Sequence, residues 1–233
     1  MNWFISAASS SIGKKIMMSL TGIFMCLFLT IHLIGNLQLL KLDNGESFNV
    51  YANFMAHNPL IQFISKGNFV IILAHVFISI LITMQNKKAR PIGYQVSSGN
   101  VSSKWNSRNM GILGTIILVF ISVHLYHFYF AVHYGTSFIP TQSYLNEFGP
   151  NIVLLDLAMK VNEAFHVGWI VAFYVFSMIA MGYHLNHGFA SAFQSLGLNH
   201  VKYNGLINVV GVSFSIIVPA AYAAIPLIIY FFR

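Results

Sequence analysis

A long apolar segment of the chain ends in 182-GYHLNHGFASAFQSLG-197, where His184 and His187 lie one helical turn apart. Residues at this spacing share a helix face. A neutral imidazole is a good ligand for iron, copper or zinc. Gly182 and Gly188 flank the pair and remove side-chain bulk where a flat, wide group could lie against the helix. The segment therefore predicts a helix that carries a metal ligand inside an apolar layer.

The composition places this segment in a membrane protein. Hydrophobic residues make up 57% of the 233 residues and charged residues only 7%, whereas a soluble domain carries about 25% charged residues. The net charge of +7 in so apolar a chain reflects membrane topology, and no nucleic-acid partner is expected. The one cysteine, Cys26, is predicted to be a small buried apolar residue.

A membrane-spanning helix needs about 20 apolar residues. Five segments qualify and predict an all-α integral membrane protein with a single domain over residues 1–233: 16–40, 65–86, 109–133, 161–194 and 204–231. The fourth is longer than a bilayer requires, so its C-terminal end is expected to project into water. The fifth contains Pro219 and Pro226 and is expected to kink.

Basic residues are distributed unevenly between the two ends of these segments. One end has Lys14, Lys15, Lys87, Lys88, Arg90, Lys104 and Arg108, and the other has Lys41, Lys66, Lys160 and Arg233, with Lys202 near the last turn. The crowded side is predicted to be cytoplasmic, which places the N-terminus inside and the C-terminus outside. The basic 87–108 connection could then dock an acidic soluble partner, and the 134–160 connection is expected to form a short cap outside.

All the carboxylates fall in or beside the outer connections: Asp43, Glu46, Glu147, Asp156 and Glu163. Acidic residues contribute little to topology rules, so this asymmetry is a separate observation. It fits either proton exchange at the outer face or ordinary solvation of the loops.

Seven of the ten histidines lie within the predicted helices: His32, His75, His124, His127, His166, His184 and His187. A histidine inside a membrane is costly unless it is paired or ligated. Each one alone could also be a core residue that is hydrogen-bonded to a neighbouring helix. The depths of these histidines therefore have to be compared.

Two histidines match at an outer depth. His32 is 17 residues past Lys15, roughly 25 Å from the cytoplasmic end, and His124 is 16 residues past Arg108, roughly 24 Å from the same end. Gly35 beside His32 is a small residue of the kind that admits a wide cofactor between helices. These two helices could hold one cofactor between them.

Two other histidines match at a shallower depth. His75 precedes Lys88 by 13 residues, roughly 20 Å from the inside, and His184 precedes Ser195 by 11 residues, roughly 17 Å from the inside. Four helices thus supply two histidine pairs, the arrangement that two bis-histidine haems stacked across a bilayer need. Iron with histidine on both faces has no open position and suits electron transfer.

Some assignments stay open at this point. His127 and His187 each lie one turn after a preferred ligand and are alternatives to His124 and His184. His166, close to Glu163, is either a quinone or proton-path residue or a histidine satisfied at a helix end.

The chain resembles, over nearly its whole length, the di-haem cytochrome b558 membrane subunit of succinate:quinone oxidoreductases. This group covers succinate dehydrogenase and quinol:fumarate reductase. The matching stretches are 14-KKIMMSLTGIFMCLFLTIHLIGNLQLL-40, 72-ILAHVF-77, 121-ISVHLYHF-128 and 182-GYHLNHGFASAFQSLG-197. The five-helix layout is also similar, with ligands on the first four helices.

The resemblance implies a haem b on each histidine pair, with the histidines as axial ligands of the haem iron. The inner haem is held by His75 and His184, and the outer haem by His32 and His124. The bundle then encloses two stacked haems b, in agreement with the depth comparison.

The resemblance also implies an electron-transfer and anchoring function in the bacterial inner (cytoplasmic) membrane. The expected partners on the cytoplasmic side are a flavoprotein subunit with FAD, which carries the dicarboxylate site, and an iron–sulfur subunit with its clusters. Electrons would pass between the clusters and a membrane quinone, with menaquinone expected. Candidates for the quinone site are Asn36, Gln38, Gln62, Asn68, Glu163 and His166.

One position departs from the family pattern. Some members carry an acidic residue two positions before the last ligand, where this chain has Gly182. No carboxylate relay of that kind is expected, so turnover is expected to respond to the membrane potential.

Three other functions compete with this interpretation. The nearest is the cytochrome b subunit of a hydrogenase or formate dehydrogenase. A zinc-dependent membrane enzyme could use His124, His127, His184 and His187, although such sites usually need a carboxylate base. A non-catalytic transporter is the third.

Overall fold

A computed structural model describes residues 3–89, 104–135, 138–144 and 151–233, and it is 85% helical. The helices are α1 Trp3–Ser9, α2 Ser11–Leu37, α3 Glu46–His57, α4 Pro59–Ala89, α5 Trp105–Arg108, α6 Met110–His124, α7 Ala131–Tyr134, α8 Leu157–Phe165, α9 Gly168–Ser195 and α10 Val201–Phe232. A 3-10 turn, Gln38–Leu40, extends α2, and a π-helical turn, Leu125–Phe130, joins α6 to α7.

Five helical segments are long and apolar enough to cross a membrane. They are Ser11–Leu40, Pro59–Ala89, Met110–Tyr134, Gly168–Ser195 and Val201–Phe232. Large apolar side chains on them are exposed, including Leu73 at 68%, Ile112 at 63% and Ile216 at 62%, as a lipid-facing surface requires. The prediction of an all-α integral membrane bundle is confirmed.

The predicted helix over 161–194 is wrong as a single element. Helix α8 ends at Phe165 and α9 begins at Gly168. The N–H of Val167 donates to the carbonyl of Ala164 at 3.3 Å, a three-residue bond that tightens and closes the last turn of α8. The fourth span therefore starts at Gly168, and residues before His166 belong to a separate helix.

The first, second and fifth predicted spans are shorter than the helices that form, and the third, predicted over 109–133, forms as Met110–Tyr134. The second was predicted from 65 but begins at Pro59, whose ring suits the first turn of a helix. The fifth runs through Pro219 and Pro226 as one helix. Cys26 is half-buried rather than fully enclosed.

Three elements outside the spans form a cap, defined here as α3, α8 and a two-stranded antiparallel sheet. Strand β1 is Thr141–Tyr144 and β2 is Ile152–Leu155, with Thr141 opposite Leu155. Helix α3 contacts both β2 and α8. The predicted cap in 134–160 thus involves a helix that precedes it by almost a hundred residues.

The fully buried Asn49 links the parts of the cap. Its Nδ2 donates to the hydroxyl of Tyr144 at 2.6 Å and to Asp156 Oδ1 at 2.9 Å, and its Oδ1 accepts from the N–H of Ala158 at 2.9 Å. Only 1% of Asn49 is exposed. One amide therefore satisfies groups on the sheet, on the residue that caps α8, and on α8 itself.

The chain divides into two compact units. Unit 1 comprises Met1–Phe28, Gly67–Ile116 and Ala180–Ile217, and unit 2 comprises Leu29–Lys66, Ile117–Ile179 and Val218–Arg233. His75 and His184 belong to unit 1, and His32 and His124 belong to unit 2. Two charged residues of the sequence analysis, Arg90 and Glu147, lie outside the described residues.

Candidate functional site

In unit 1, the structure brings together the two histidines that were predicted to match at the shallower depth. His75 comes from α4 and His184 from α9, and their ring centroids are 6.5 Å apart with an angle of 61° between the ring planes. Both side chains are partly buried. The two helices are far apart in sequence, so this pair exists only in the fold.

In unit 2, the structure brings together His32 and His124, the two histidines that were predicted to match at an outer depth. His32 comes from α2 and His124 is the last residue of α6. Their ring centroids are 5.9 Å apart and the rings are almost perpendicular, at 88°. All four preferred histidines are therefore paired across helices.

The two separations fit a metal ion between the rings. Two imidazole nitrogens on opposite sides of one ion, each about 2 Å from it, place the ring centroids about 6 Å apart. The observed 5.9 Å and 6.5 Å are close to that value. Each pair can thus supply two opposed ligands to one ion.

A hydrogen bond from Thr21 orients His75. Thr21 Oγ1 lies 2.9 Å from His75 Nδ1, and its own proton is donated to the carbonyl of Met17 at 2.8 Å. When Thr21 gives its one proton to the carbonyl of Met17, its oxygen can accept from Nδ1–H of His75. Nε2 of His75 then keeps its lone pair for a ligand bond, the usual outer-shell arrangement around a metal-bound histidine.

The second histidine of unit 1 has an unsatisfied nitrogen. His184 Nδ1 is buried and makes no hydrogen bond to the described residues. Buried polar atoms are nearly always paired, and an exception calls for a specific explanation. His127 Nδ1 is buried without a hydrogen bond in the same way, so this feature alone does not distinguish a ligand from its neighbour.

Glycines leave room beside the unit 1 rings. A Cβ atom at Gly22 would lie 3.7 Å from Cε1 of His75, and one at Gly114 would lie 3.9 Å from Cε1 of His184. Nothing lies within 4 Å of a Cβ built at Gly188. A flat cofactor could use this space, and larger side chains at Gly22 or Gly114 would take it.

The predicted role of Gly35 in admitting a cofactor beside His32 is not what the structure shows. A Cβ atom at Gly35 would overlap the ring of Tyr51. The glycine is needed because α3 packs a tyrosine directly on the α2 backbone.

Aromatic rings surround the histidines of unit 2. Phe120 is stacked on His124 with centroids 5.7 Å apart, and Phe128 contacts it edge-on at 5.3 Å. Tyr174 lies with its hydroxyl 3.3 Å from His124 Nδ1. Burial of Tyr174 is nearly complete, at 5% exposed, so the hydroxyl and the imidazole are held together in an apolar setting.

The other histidine of this pair lies beside Tyr222 of α10. Their ring centroids are 6.1 Å apart. The Tyr222 hydroxyl donates to the carbonyl of Leu29 at 2.7 Å, which ties α10 to the turn of α2 that precedes His32. The position of His32 is thus fixed by a contact between two spanning helices.

The two alternative ligands have other neighbours. The ring of His127 lies 6.0 Å from Tyr126 and 6.2 Å from Phe128, and its Nδ1 is buried without a hydrogen bond to the described residues. His187 interacts electrostatically with Lys104. His124 and His184 are the ones that face a second histidine.

The quinone candidates are divided between the two units. Asn68 is in unit 1, and the other candidates are in unit 2. Asn36 donates to the carbonyl of His32 at 2.7 Å, Gln62 donates to the carbonyl of Ala56, and His166 Nδ1 lies 2.7 Å from the carbonyl of Asn162. These local backbone bonds occupy polar groups that a quinone would otherwise use.

Electrostatics in the cap are set by hydrogen bonds and nearby carboxylates. Burial acts to raise the pKa of Asp43, but hydrogen bonds from Ser47 and from the N–H of Gly45 outweigh it, so its pKa is below the ordinary value. Burial raises the pKa of the Tyr144 hydroxyl, and the charge of Asp156 adds to this effect. At neutral pH Asp43 is therefore ionised, while Tyr144 keeps its proton.

Sequence reasoning missed Thr21, Tyr174 and Asn49. Thr21 had a detectable signal, since a threonine in an apolar helix eleven residues before His32 lies on the same helix face. Tyr174 and Asn49 act through contacts between segments far apart in the sequence, and no local pattern marks them.

Across the described residues, no three histidine, cysteine, aspartate or glutamate side chains form a metal-ligand group. Zinc enzymes usually bind their metal through three protein ligands. A haem iron needs only two from the protein because the porphyrin supplies the others. Paired histidines are thus the donor set that a bis-histidine haem uses.

Comparison of the chain with family models, with curated proteins and with solved structures gives no match in any of the three. The function therefore has to be argued from the histidine pairs and the membrane-spanning helices.

Proposed function

We propose that the chain is the membrane-anchor and electron-transfer subunit of a succinate:quinone oxidoreductase, and that it binds two haems b. The observation that carries the proposal is the presence of two histidine pairs, each from two different helices, with ring centroids 6.5 Å and 5.9 Å apart. The resemblance of 14–40 and 182–197 to the cytochrome b558 subunits supports the same function.

The chain's own residues hold and orient the ligands. Each haem, when bound, supplies a one-electron redox centre whose iron has no open coordination position. Thr21 fixes the tautomer of His75, and Phe120 and Tyr174 restrict the ring of His124. The apolar spanning helices would limit the access of water to the two pairs.

The proposed location is the bacterial inner (cytoplasmic) membrane, with the N-terminus in the cytoplasm. The basic residues near Lys14 and Lys87 support this orientation through the positive-inside rule. The partners would be an iron–sulfur subunit and a flavoprotein subunit with FAD on that side. The dicarboxylate reaction belongs to the flavoprotein, and this chain contributes the quinone end.

The quinone, which we take to be menaquinone, would react on the side of unit 2. The described carboxylates all belong to unit 2: Asp43, Glu46, Asp156 and Glu163. They can exchange protons with water at that side. Because Gly182 stands where some family members have an acid, turnover in proteoliposomes would then respond to the membrane potential.

The test is purification of the intact complex through an affinity tag on this chain, followed by identification of its partners. The expected result is co-purification of a flavoprotein with bound FAD and an iron–sulfur protein, with succinate:quinone reductase activity. A His184→Leu variant should lose quinone reduction, and a matched His187→Leu variant should keep it. Co-purification of a hydrogenase or formate dehydrogenase subunit would instead establish the nearest alternative.

A further inference from the structure

Lys14 is a buried cation near the N-terminal end of the first span. Only 9% of this residue is exposed, whereas its neighbour Lys15 is exposed to the surroundings. The ammonium donates one hydrogen bond, to Oε1 of Gln85 in α4, at 2.7 Å. An ammonium has three protons to donate, so the neutral amide satisfies one, and no carboxylate of the described residues pairs with the charge.

The described part of unit 1 offers no anion to this charge. The carboxylates in the described ranges lie in unit 2, while unit 1 contains Lys14 together with further cations: Lys15, Lys87, Lys88, Lys104, Arg108 and Lys202. Burying a charge is costly unless it is paired. An anion that is not part of the chain would make the burial of Lys14 favourable.

Lys14 lies on the helix face that points to the unit 1 histidines. It precedes Thr21 by seven residues, two turns along the same face. Thr21 in turn contacts His75 at 2.9 Å. Two turns span about 10 Å, so the ammonium and the histidine pair face one interior region at neighbouring levels of the same helix.

We propose that Lys14 binds a carboxylate arm of the tetrapyrrole held by His75 and His184. This inference rests on the proposed function. A cofactor held between the two rings would occupy the interior region that Lys14 also faces, which would bring a carboxylate arm within reach of the ammonium. Gln85 keeps the Lys14 ammonium in place, and Lys15 takes no part.

The test measures the midpoint potential of the unit 1 haem in the full complex. In a His32→Leu background only that haem remains, and Lys14→Gln removes the charge while keeping a polar side chain. Loss of a nearby positive charge disfavours reduction, so we expect the equilibrium constant for reduction to fall about tenfold, which is about 59 mV for one electron. The matched Lys15→Gln variant should leave the potential unchanged, and Lys14→Arg should restore it.

If the His32→Leu background does not assemble, the same variants can be titrated in the otherwise unaltered complex. The component that disappears in His75→Leu identifies the unit 1 haem. The role of Lys14 would be overturned if Lys14→Gln kept two haems with unchanged midpoint potentials, or if Lys15→Gln shifted the potential equally. Either result would indicate that the anion bound by Lys14 is a lipid phosphate or a carboxylate of a partner subunit. Absence of haem from the unaltered complex would overturn the proposed function itself.

Discussion

The two histidine pairs present similar ligands in different surroundings. In unit 1, the hydroxyl of Thr21 lies 2.9 Å from His75 Nδ1, and His184 Nδ1 makes no hydrogen bond to the described residues. In unit 2, His124 is enclosed by Phe120, Phe128 and Tyr174. Each pair thus has one ring in hydrogen-bond range of a hydroxyl, at 2.9 Å in unit 1 and 3.3 Å in unit 2, and the unit 2 pair has aromatic packing in addition.

A chain of polar side chains accompanies the unit 1 pair. Asn106 donates to Asn186 Oδ1 at 3.1 Å, and Asn186 donates to the hydroxyl of Ser215 at 3.3 Å. Asn186 is two residues after His184 in α9. This network joins α5, α9 and α10, and because side chains two residues apart on a helix do not face the same way, it lies on a different side of α9 from His184.

The charges differ as well. The described residues of unit 1 contain lysines and an arginine without carboxylates, while those of unit 2 contain both signs. A positive surrounding favours the gain of an electron. The comparison therefore predicts that the two pairs respond differently to substitution and hold haems of different potential.

The largest expected effect comes from removal of one ligand from each pair. His75→Leu should abolish the unit 1 haem and leave the other, and His32→Leu should do the reverse, because iron with one remaining histidine is poorly held. Haem per chain, measured from reduced-minus-oxidised spectra, should fall to about half in each. His127→Leu and His187→Leu are the matched controls, and a halved content in either would shift the ligand assignment to that residue.

Unit 2 should depend on the cap, and unit 1 should not. Asn49→Ala removes three hydrogen bonds of a fully buried amide, which should lower the free energy of unfolding of unit 2 by about 3 kcal/mol. Thermal loss of the unit 2 haem should then precede loss of the unit 1 haem. The exposed Asn53 of α3 provides the control, as Asn53→Ala should have little effect. Simultaneous loss of both haems would contradict the prediction that the cap stabilises unit 2 and leaves unit 1 unaffected.

Haem binding by the unit 1 pair should be more sensitive to loss of the hydroxyl beside its histidine than haem binding by the unit 2 pair. Thr21→Val preserves shape but removes the acceptor for His75 Nδ1–H, and loss of such a partner typically costs 10–100-fold in metal affinity. Tyr174→Phe removes a longer contact, 3.3 Å against 2.9 Å, so its effect on the unit 2 haem should be smaller. Haem retention during dilution into detergent would measure both, and a larger loss in Tyr174→Phe would reverse the comparison.

The smallest effect expected is a difference between the midpoint potentials of the unit 1 haem and the unit 2 haem. The positive surroundings of unit 1 should favour reduction of its haem over that of unit 2 by roughly tenfold, about 59 mV. Potentiometric titration of His32→Leu and His75→Leu gives each value separately. Equal potentials would mean that lipid, partner subunits or solvent cancel the charge difference.

The spanning helices could be predicted because long apolar runs suffice to define them. Apolar length does not show a helix end, however, so the break at Val167 within 161–194 was missed. The pairing of His32 with His124 and of His75 with His184 followed from depth, since helix rise is regular. That prediction needed no knowledge of side-chain contacts.

Contacts between distant segments could not be predicted. Asn49 and Asp156 are 107 residues apart, and their bond forms only once α3 and α8 pack together. Gly35 was assigned to a cofactor because it lies near His32, but its neighbour in the fold is Tyr51. Local patterns indicate the candidate histidines, and tertiary packing decides which side chains contact them.

The most direct test of the two-pair arrangement is the haem content of the purified chain, together with a dithionite-reduced minus oxidised visible spectrum. The separations of 6.5 Å and 5.9 Å between paired rings predict two b-type haems per chain. A single haem would mean that one pair is a hydrogen-bonded core feature. A well-folded preparation without haem would contradict the account.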